Sequence, residues 1–225
     1  MKHYFLIKKE LIQLSIKLIL FVTSFSLFMG CESLQKKQNT VVPTSASKNG
    51  STLYTQWELK SLVKNTVTGE ASIITLDLVG AKTFPIRAEI STSVGLHMAS
   101  VVIQENEIQY ILPRSKRYFS GPISQKSLQP VLNVKLDPRL IQAALFDLSY
   151  PDWKCSADNG LISSCESAVN EKISWDRSEG KAKLVNIKGD DYEVQIQFVN
   201  ESVKNDVKEN TFTLKVPESY KKFKL

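Results

Sequence analysis

The sequence predicts a mainly β fold of the α+β class: an antiparallel, strongly curved sheet or open barrel interrupted by two helices. Three observations predict it. Apolar and polar residues alternate with period two over several separate runs, turn-forming residues divide those runs, and one capped amphipathic stretch breaks the pattern. Each element follows in chain order.

The chain opens with lysines at positions 2, 8, 9 and 17, an apolar run from Leu18 to Met29, and Gly30-Cys31. A charged, then apolar, then small-residue order is that of an export signal. The run is about 12 residues, whereas a bilayer-spanning helix needs about 20. Residues 1–30 are therefore read as a signal peptide. Leu27-Phe28-Met29-Gly30-Cys31 resembles a lipobox, which makes Cys31 the lipidated first residue of the mature chain and places it in the cell envelope. An ordinary secreted protein with a chance cysteine is the alternative. Removing residues 1–30 lowers the formal charge from +6 to +3. So small an excess, on an exported chain, argues against a nucleic-acid partner.

Residues 31–51 are polar, without apolar period, and read as a flexible tether reaching roughly 25 Å from the lipid. Residues 52–225 form the folded domain. A short helix is expected over about Thr52 to Gln56, or on to Val63, with Leu53 and Trp57 on one side; the stretch from Glu58 to Lys64 reads equally as the first strand. The strand faces that follow are Ile74, Leu76 and Leu78; Ile86, Ala88 and Ile90; Ile108, Tyr110 and Leu112; Val194, Ile196 and Phe198; and Phe212, Leu214 and Val216. One apolar and one wet face argue for antiparallel pairing, and the runs amount to nine or ten strands.

The clearer helix starts at Asp137-Pro138, a cap followed by a residue suited to the first helical position. Leu136 and Ile141 are spaced as a hydrophobic staple. Leu140, Ile141, Ala144, Leu145 and Leu148 form its apolar stripe, and Pro151 ends the run. With Cys31 assigned to lipid, Cys155 and Cys165 remain as a pair, separated by the tight-turn dipeptide Asn159-Gly160. A disulfide across a hairpin is the expectation. A metal site is the alternative, opposed by the single histidine, His97, in the mature chain.

Lipoprotein signal, polar tether, leading helix, strand meander, inserted helix and the closing Phe212-x-Leu214-x-Val216-Pro217 together resemble the LolA/LolB family, whose members are a periplasmic carrier and an outer-membrane receptor for lipoproteins. The resemblance implies an unclosed barrel with helices covering its concave face and a cavity for acyl chains. It further implies a membrane-anchored, receptor-like protein at the periplasmic face of the outer membrane, with acyl chains or lipoproteins as partners. By the same resemblance Val94, in the Thr92–Gly95 loop, is the membrane-facing residue. The cavity candidates are Leu76, Leu78, Ile86, Ile90, Tyr110, Ile196, Phe198 and Leu214. The same alternation also arises over a solid core, in which case the protein is a scaffolding lipoprotein with a protein partner.

Arg114, Lys116 and Arg117 form a basic hairpin tip, and Lys221, Lys222 and Lys224 a basic tail with Phe223; both read first as solvated charge, and second as groups that attract anionic lipid head groups. No nucleophile elbow, phosphate-binding loop or metal pattern is present, and neither an enzyme nor a cofactor is expected. A hydrolase would require His97 beside a carboxylate and a nucleophile in one cleft. The chain is expected to be monomeric.

Overall fold

A computed structural model describes residues 52–150 and 152–225. The expected signal peptide, lipidated Cys31 and tether lie outside the described residues, as does Pro151. Six strands come first: β1 (Tyr54–Asn65), β2 (Ala71–Gly80), β3 (Ile86–Thr92), β4 (His97–Ile103), β5 (Glu107–Leu112) and β6 (Arg117–Pro122). Two helices follow, α1 (Gln129–Leu132) and α2 (Pro138–Phe146). The chain then returns to strands: β7 (Lys154–Asp158), β8 (Leu161–Glu166), β9 (Lys172–Asp176), β10 (Leu184–Lys188), β11 (Tyr192–Lys204) and β12 (Lys221–Lys224).

All twelve strands belong to one sheet in the order β12-β6-β5-β4-β3-β2-β1-β11-β10-β9-β8-β7. The outermost strands β12 and β7 do not pair, so the barrel is unclosed, as the sequence predicts. It consists of two meanders, β1–β6 and β7–β11, joined by the antiparallel ladder between β1 and β11 that runs from Tyr54↔Lys204 to Asn65↔Tyr192. The pairing is antiparallel throughout except where β12 lies parallel to β6.

The inner face carries the core. Trp57, Leu59 and Val63 on β1 are buried while Glu58, Lys60 and Leu62 between them are exposed. This corrects the leading helix: the i, i+4 pair Leu53 and Trp57 is outweighed by period-two burial, and the segment from Tyr54 is strand. The runs Ile86/Ala88/Ile90 and Val194/Ile196/Phe198 are buried on the same face.

The Phe212–Val216 run is a second correction. Glu209–Phe212 is a 3-10 turn, and Thr213 to Val216 pairs with no strand. Residues 205–220 instead form a strap across the outer face, carrying the chain from β11 in mid-sheet to β12 at the edge. Phe212 and Leu214 bury their side chains against Val102 there, beside Tyr54, Val79 and Tyr118. The Arg87 Nη1 donates to the Thr211 carbonyl (2.7 Å), and Tyr54 stacks on Phe212 with ring centres 5.3 Å apart. The strap alternates because one of its faces meets the sheet and the other meets water.

Other elements lie where the sequence puts them. The Asp137 carboxylate accepts from the Arg139 amide (2.9 Å) at the start of α2. The helix ends at Phe146, where Asp147 turns left-handed (φ 53°), rather than running on through Leu148. Asn159 and Gly160 both adopt positive φ (51° and 79°), the pattern of a two-residue hairpin turn between β7 and β8. Cys155 and Cys165 are directly opposed across that hairpin and form a disulfide.

If the strap clamps the outer face, Phe212→Ala lowers stability by about 3 kcal/mol, the low end of the range for truncating a buried phenylalanine. Urea unfolding of the variant measures it; a change below about 0.5 kcal/mol marks the strap as a passive connection.

Candidate functional site

The inner face of the sheet and the segment 124–150, which holds α1 and α2, enclose an apolar slot. Strands supply Leu59 and Val63, Leu76 and Leu78, Ile90, and Val194 and Ile196; the helical segment supplies Leu128, Leu132, Leu136 and Ile141. Ser61 is the one hydroxyl in the lining. The cavity holds about 40 Å³. Ligand pockets run to about 300–1,000 Å³, so the segment sits on the sheet as a closed lid and leaves room for little more than a water molecule.

The lid is held in two ways. Its apolar side chains pack into the core, with Phe146 edge-on to Trp57 at 5.0 Å. Its polar ties run through side chains, most of them at the rim. Asp147, just past α2, meets Lys183 (2.7 Å) and Arg177 (3.0 Å), Lys135 meets Asp191 (3.0 Å), and the Gln142 amide donates to the Lys82 carbonyl (2.8 Å). Deeper in, the Trp175 indole donates to the Ala144 carbonyl at 3.4 Å. Among the described residues, no backbone-to-backbone hydrogen bond joins 124–150 to a strand.

The sequence-derived cavity set divides. Leu76, Leu78, Ile90 and Ile196 line the slot. Ile86, Tyr110 and Phe198 face inward but are built into the solid core beside it. Tyr110 stacks on Phe119 at 4.8 Å, and the Lys183 ammonium lies 4.4 Å from the centre of the Phe198 ring. Leu214 is on the opposite face, under the strap, and is removed from the set. Leu128 and Leu132 escaped the sequence reading although their i, i+4 spacing is helical; four residues of helix carry too little periodicity to stand out.

Among the described residues, two polar atoms on the inner face lack partners: the Tyr110 hydroxyl and the Trp57 indole nitrogen are both buried without a hydrogen bond. Burial pushes the Tyr110 hydroxyl up to about 12. At the open side of the lid, Glu171 accepts from Tyr192 (3.3 Å) and from Gln125 (3.2 Å). Burial raises the Glu171 carboxyl above its ordinary value, and the Tyr192 hydrogen bond offsets part of that rise.

His97, Ser100 and Glu89 come together on the outer face. The Ser100 hydroxyl donates to Glu89 Oε2 (2.5 Å), and His97 Nε2 lies 3.2 Å from Ser100 Oγ and 3.6 Å from Glu89 Oε2. The residue types a hydrolase needs do meet, but in the wrong order. Both partners face the same imidazole nitrogen, whereas base activation of a serine places the carboxylate on the other one. Glu89 is further occupied by Arg87 (2.6 Å), and Ser100 is buried. The cluster ties β3 to β4 and to the strap above.

Val94 is 78 % exposed in the loop between β3 and β4, and Leu96 is 52 % exposed beside it. No helix among the described residues is long and apolar enough to cross a membrane.

No family model matches the sequence, and no curated protein does. Solved structures do resemble it. An uncharacterized conserved protein from Thermus thermophilus shares 13% identity over 79% of this chain and 93% of that one, with a TM-score of 0.37. A putative outer membrane lipoprotein-sorting protein domain from Vibrio parahaemolyticus shares 10% over 73% and 91%, TM-score 0.45. A LolA superfamily protein from Nitrosomonas europaea shares 6% over 73% and 91%, TM-score 0.43. None is similar enough for its site to be transferred residue by residue.

Glu171 supplies a pH test. Its carboxyl is raised in the folded state, so the associated stability is present at low pH and is lost as pH climbs through the folded value. Glu171→Gln removes that loss. The variant's unfolding free energy relative to wild type is expected to rise between about pH 4 and pH 7, and parallel curves for the two proteins refute it.

Proposed function

We propose that the protein is a non-enzymatic, membrane-tethered lipoprotein that binds an acyl chain between the inner face of its half-barrel and the helical lid. The acyl chain belongs to a lipid or to the acylated end of another lipoprotein. The observation that carries this reading is the seam itself: hydrocarbon on both sides and, among the described residues, one serine hydroxyl and no backbone-to-backbone hydrogen bond across it. A seam of that kind opens without breaking secondary structure. It offers a ligand the surface that the lid now covers.

The energetics are compatible with displacement. Burying a methylene is worth about 0.8 kcal/mol, so eight methylenes offer roughly 6 kcal/mol. The rim ion pairs that resist opening are half-buried around Asp147 and more exposed at Lys135 and Asp191, the latter pair worth at most about 1 kcal/mol. The lid's apolar face, lifted from the sheet, would pack against the acyl chain and so recover much of its burial. A second reading, a scaffolding lipoprotein with a filled core, is favoured by one observation, the 40 Å³ volume of the closed slot.

Upstream of the domain the reading includes a signal peptide over residues 1–30, lipid on Cys31 and a tether over 31–51, with Val94 meeting the membrane. The periplasmic face of the outer membrane is the proposed location. A Cys31→Ala chain is expected to leave the membrane fraction for the soluble one; if it stays, the lipid anchor is wrong.

Acyl binding is tested on the compact unit Ser47–Leu225, which holds every strand of the sheet. Native mass spectrometry after incubation with palmitate is expected to show a one-to-one adduct, and palmitate to displace a hydrophobic dye. Leu76→Trp, which fills the slot, is expected to reduce dye uptake at least tenfold while the unit stays folded. An adduct-free unit that takes up no dye establishes the filled-core reading.

A further inference from the structure

Two basic segments more than a hundred residues apart in sequence are brought together at one edge of the sheet. β12 lies parallel to β6 with Lys221 opposite Arg117, Lys222 opposite Tyr118 and Lys224 opposite Ser120. The Lys221 amide donates to the Lys116 carbonyl and the Leu225 amide to the Ser120 carbonyl, both at 3.0 Å. A tail that reads as solvated charge in the sequence is thus fixed by backbone bonds beside the hairpin tip that holds Arg114 and Lys116. The result is a sheet edge with six exposed cations, Arg117 and Lys221 on the face that carries Phe223 and Lys222 and Lys224 on the other. Neither segment contains an acidic side chain, and Glu218 lies three residues before the second.

None of the six forms an ion pair among the described residues. Elsewhere Lys135, Lys183 and Lys188 each meet a carboxylate. The edge also carries apolar surface: Phe223 is 39 % exposed, stacked on Phe119 at 5.1 Å with the Arg117 guanidinium 5.7 Å from its ring centre.

Direction places the hairpin cations at one end of the meander. β3 and β5 run the same way, so the loop after β3 and the hairpin after β5 emerge at the same end of the sheet. Two strand spacings separate them, about 10 Å. Exposed Leu96 and the cations of the hairpin therefore lie side by side. Apolar tips next to unpaired cations suit a surface that is anionic outside and apolar just beneath, and a folded acidic protein offers only the first of these.

We propose that the edge formed by β6 and β12 docks the protein on the anionic headgroups of a phospholipid bilayer, with the strand ends facing the membrane. The contact is distinct from the acyl slot. It would hold the domain in one orientation at the membrane, where a flexible tether alone would let it tumble.

The test uses the Ser47–Leu225 unit, which has no lipid, in co-sedimentation with vesicles of phosphatidylglycerol or of phosphatidylcholine. Binding is expected to phosphatidylglycerol alone. It should weaken strongly as salt rises and the screening length contracts from about 10 Å at 0.1 M to about 3 Å at 1 M. Each cation near an anionic surface strengthens partitioning about fivefold, so the double variant Lys222→Gln/Lys224→Gln is expected to bind about 25-fold more weakly. Both side chains are exposed, and an unchanged thermal midpoint confirms the fold. The slot-filled Leu76→Trp unit is expected to bind vesicles like wild type, so a failure of acyl binding leaves this result standing. Equal binding to phosphatidylcholine, no binding to either vesicle, wild-type binding by the double variant, or binding to polyglutamate but not to vesicles each overturns the proposal.

Discussion

A single ladder holds the architecture together. β1 and β11 are the strands that join the two meanders, pairing over twelve residues of β1 from the beginning of the domain to near its end. Without that ladder there are two separate sheets, one of seven strands and one of five. With it, the inner side chains of both meanders line one curved surface. The lid, inserted in sequence between the meanders, closes over that surface from the middle of the chain. The slot is therefore bordered by the N-terminal strands, by β11 and by the lid alike.

The two faces of the sheet solve the same burial problem differently. Outside, the strap covers Val102 and Tyr54 with Phe212 and Leu214, and Arg87 fixes it through backbone carbonyls. Inside, the lid covers a larger apolar area and is fixed through side chains, chiefly at its rim. The strap is joined at both ends to strands of the same sheet and tied to Arg87 through a backbone carbonyl, which holds it on the outer face. A helical segment with internal backbone bonds can lift as a unit. This difference, more than the apolar lining, distinguishes the two covers.

Much of this was legible in the sequence, and the failures share one physical origin. Alternation reports which residues face an apolar neighbour, and it placed Leu76, Leu78, Ile90 and Ile196 correctly on the inner surface. It does not report what the neighbour is. Leu214 alternates because it lies on a sheet rather than in one, and Trp57 follows Leu53 at helical spacing although it belongs to a strand. Local backbone chemistry was more dependable. The Asp137 cap and the Asn159-Gly160 turn depend on neighbouring residues only, and both are present in the structure. β12 was invisible as a strand, since Lys-Lys-Phe-Lys has no apolar period and owes its pairing to the strap that delivers it. The volume of the slot is a tertiary quantity; no reading of one face yields the distance to the other.

The hairpin disulfide carries a consequence for biogenesis. Cys155 and Cys165 are ten positions apart, linked by a turn that forms without tertiary help. Their oxidation can thus precede folding of the sheet, and between two thiols there is no wrong partner. While Cys31 remains a free thiol the chain has three cysteines and three ways to join two of them. Alkylation of Cys31, as proposed, would leave one. Lipid attachment would then act as a proofreading step for oxidation, making a disulfide isomerase dispensable for any chain lipidated before it is oxidised.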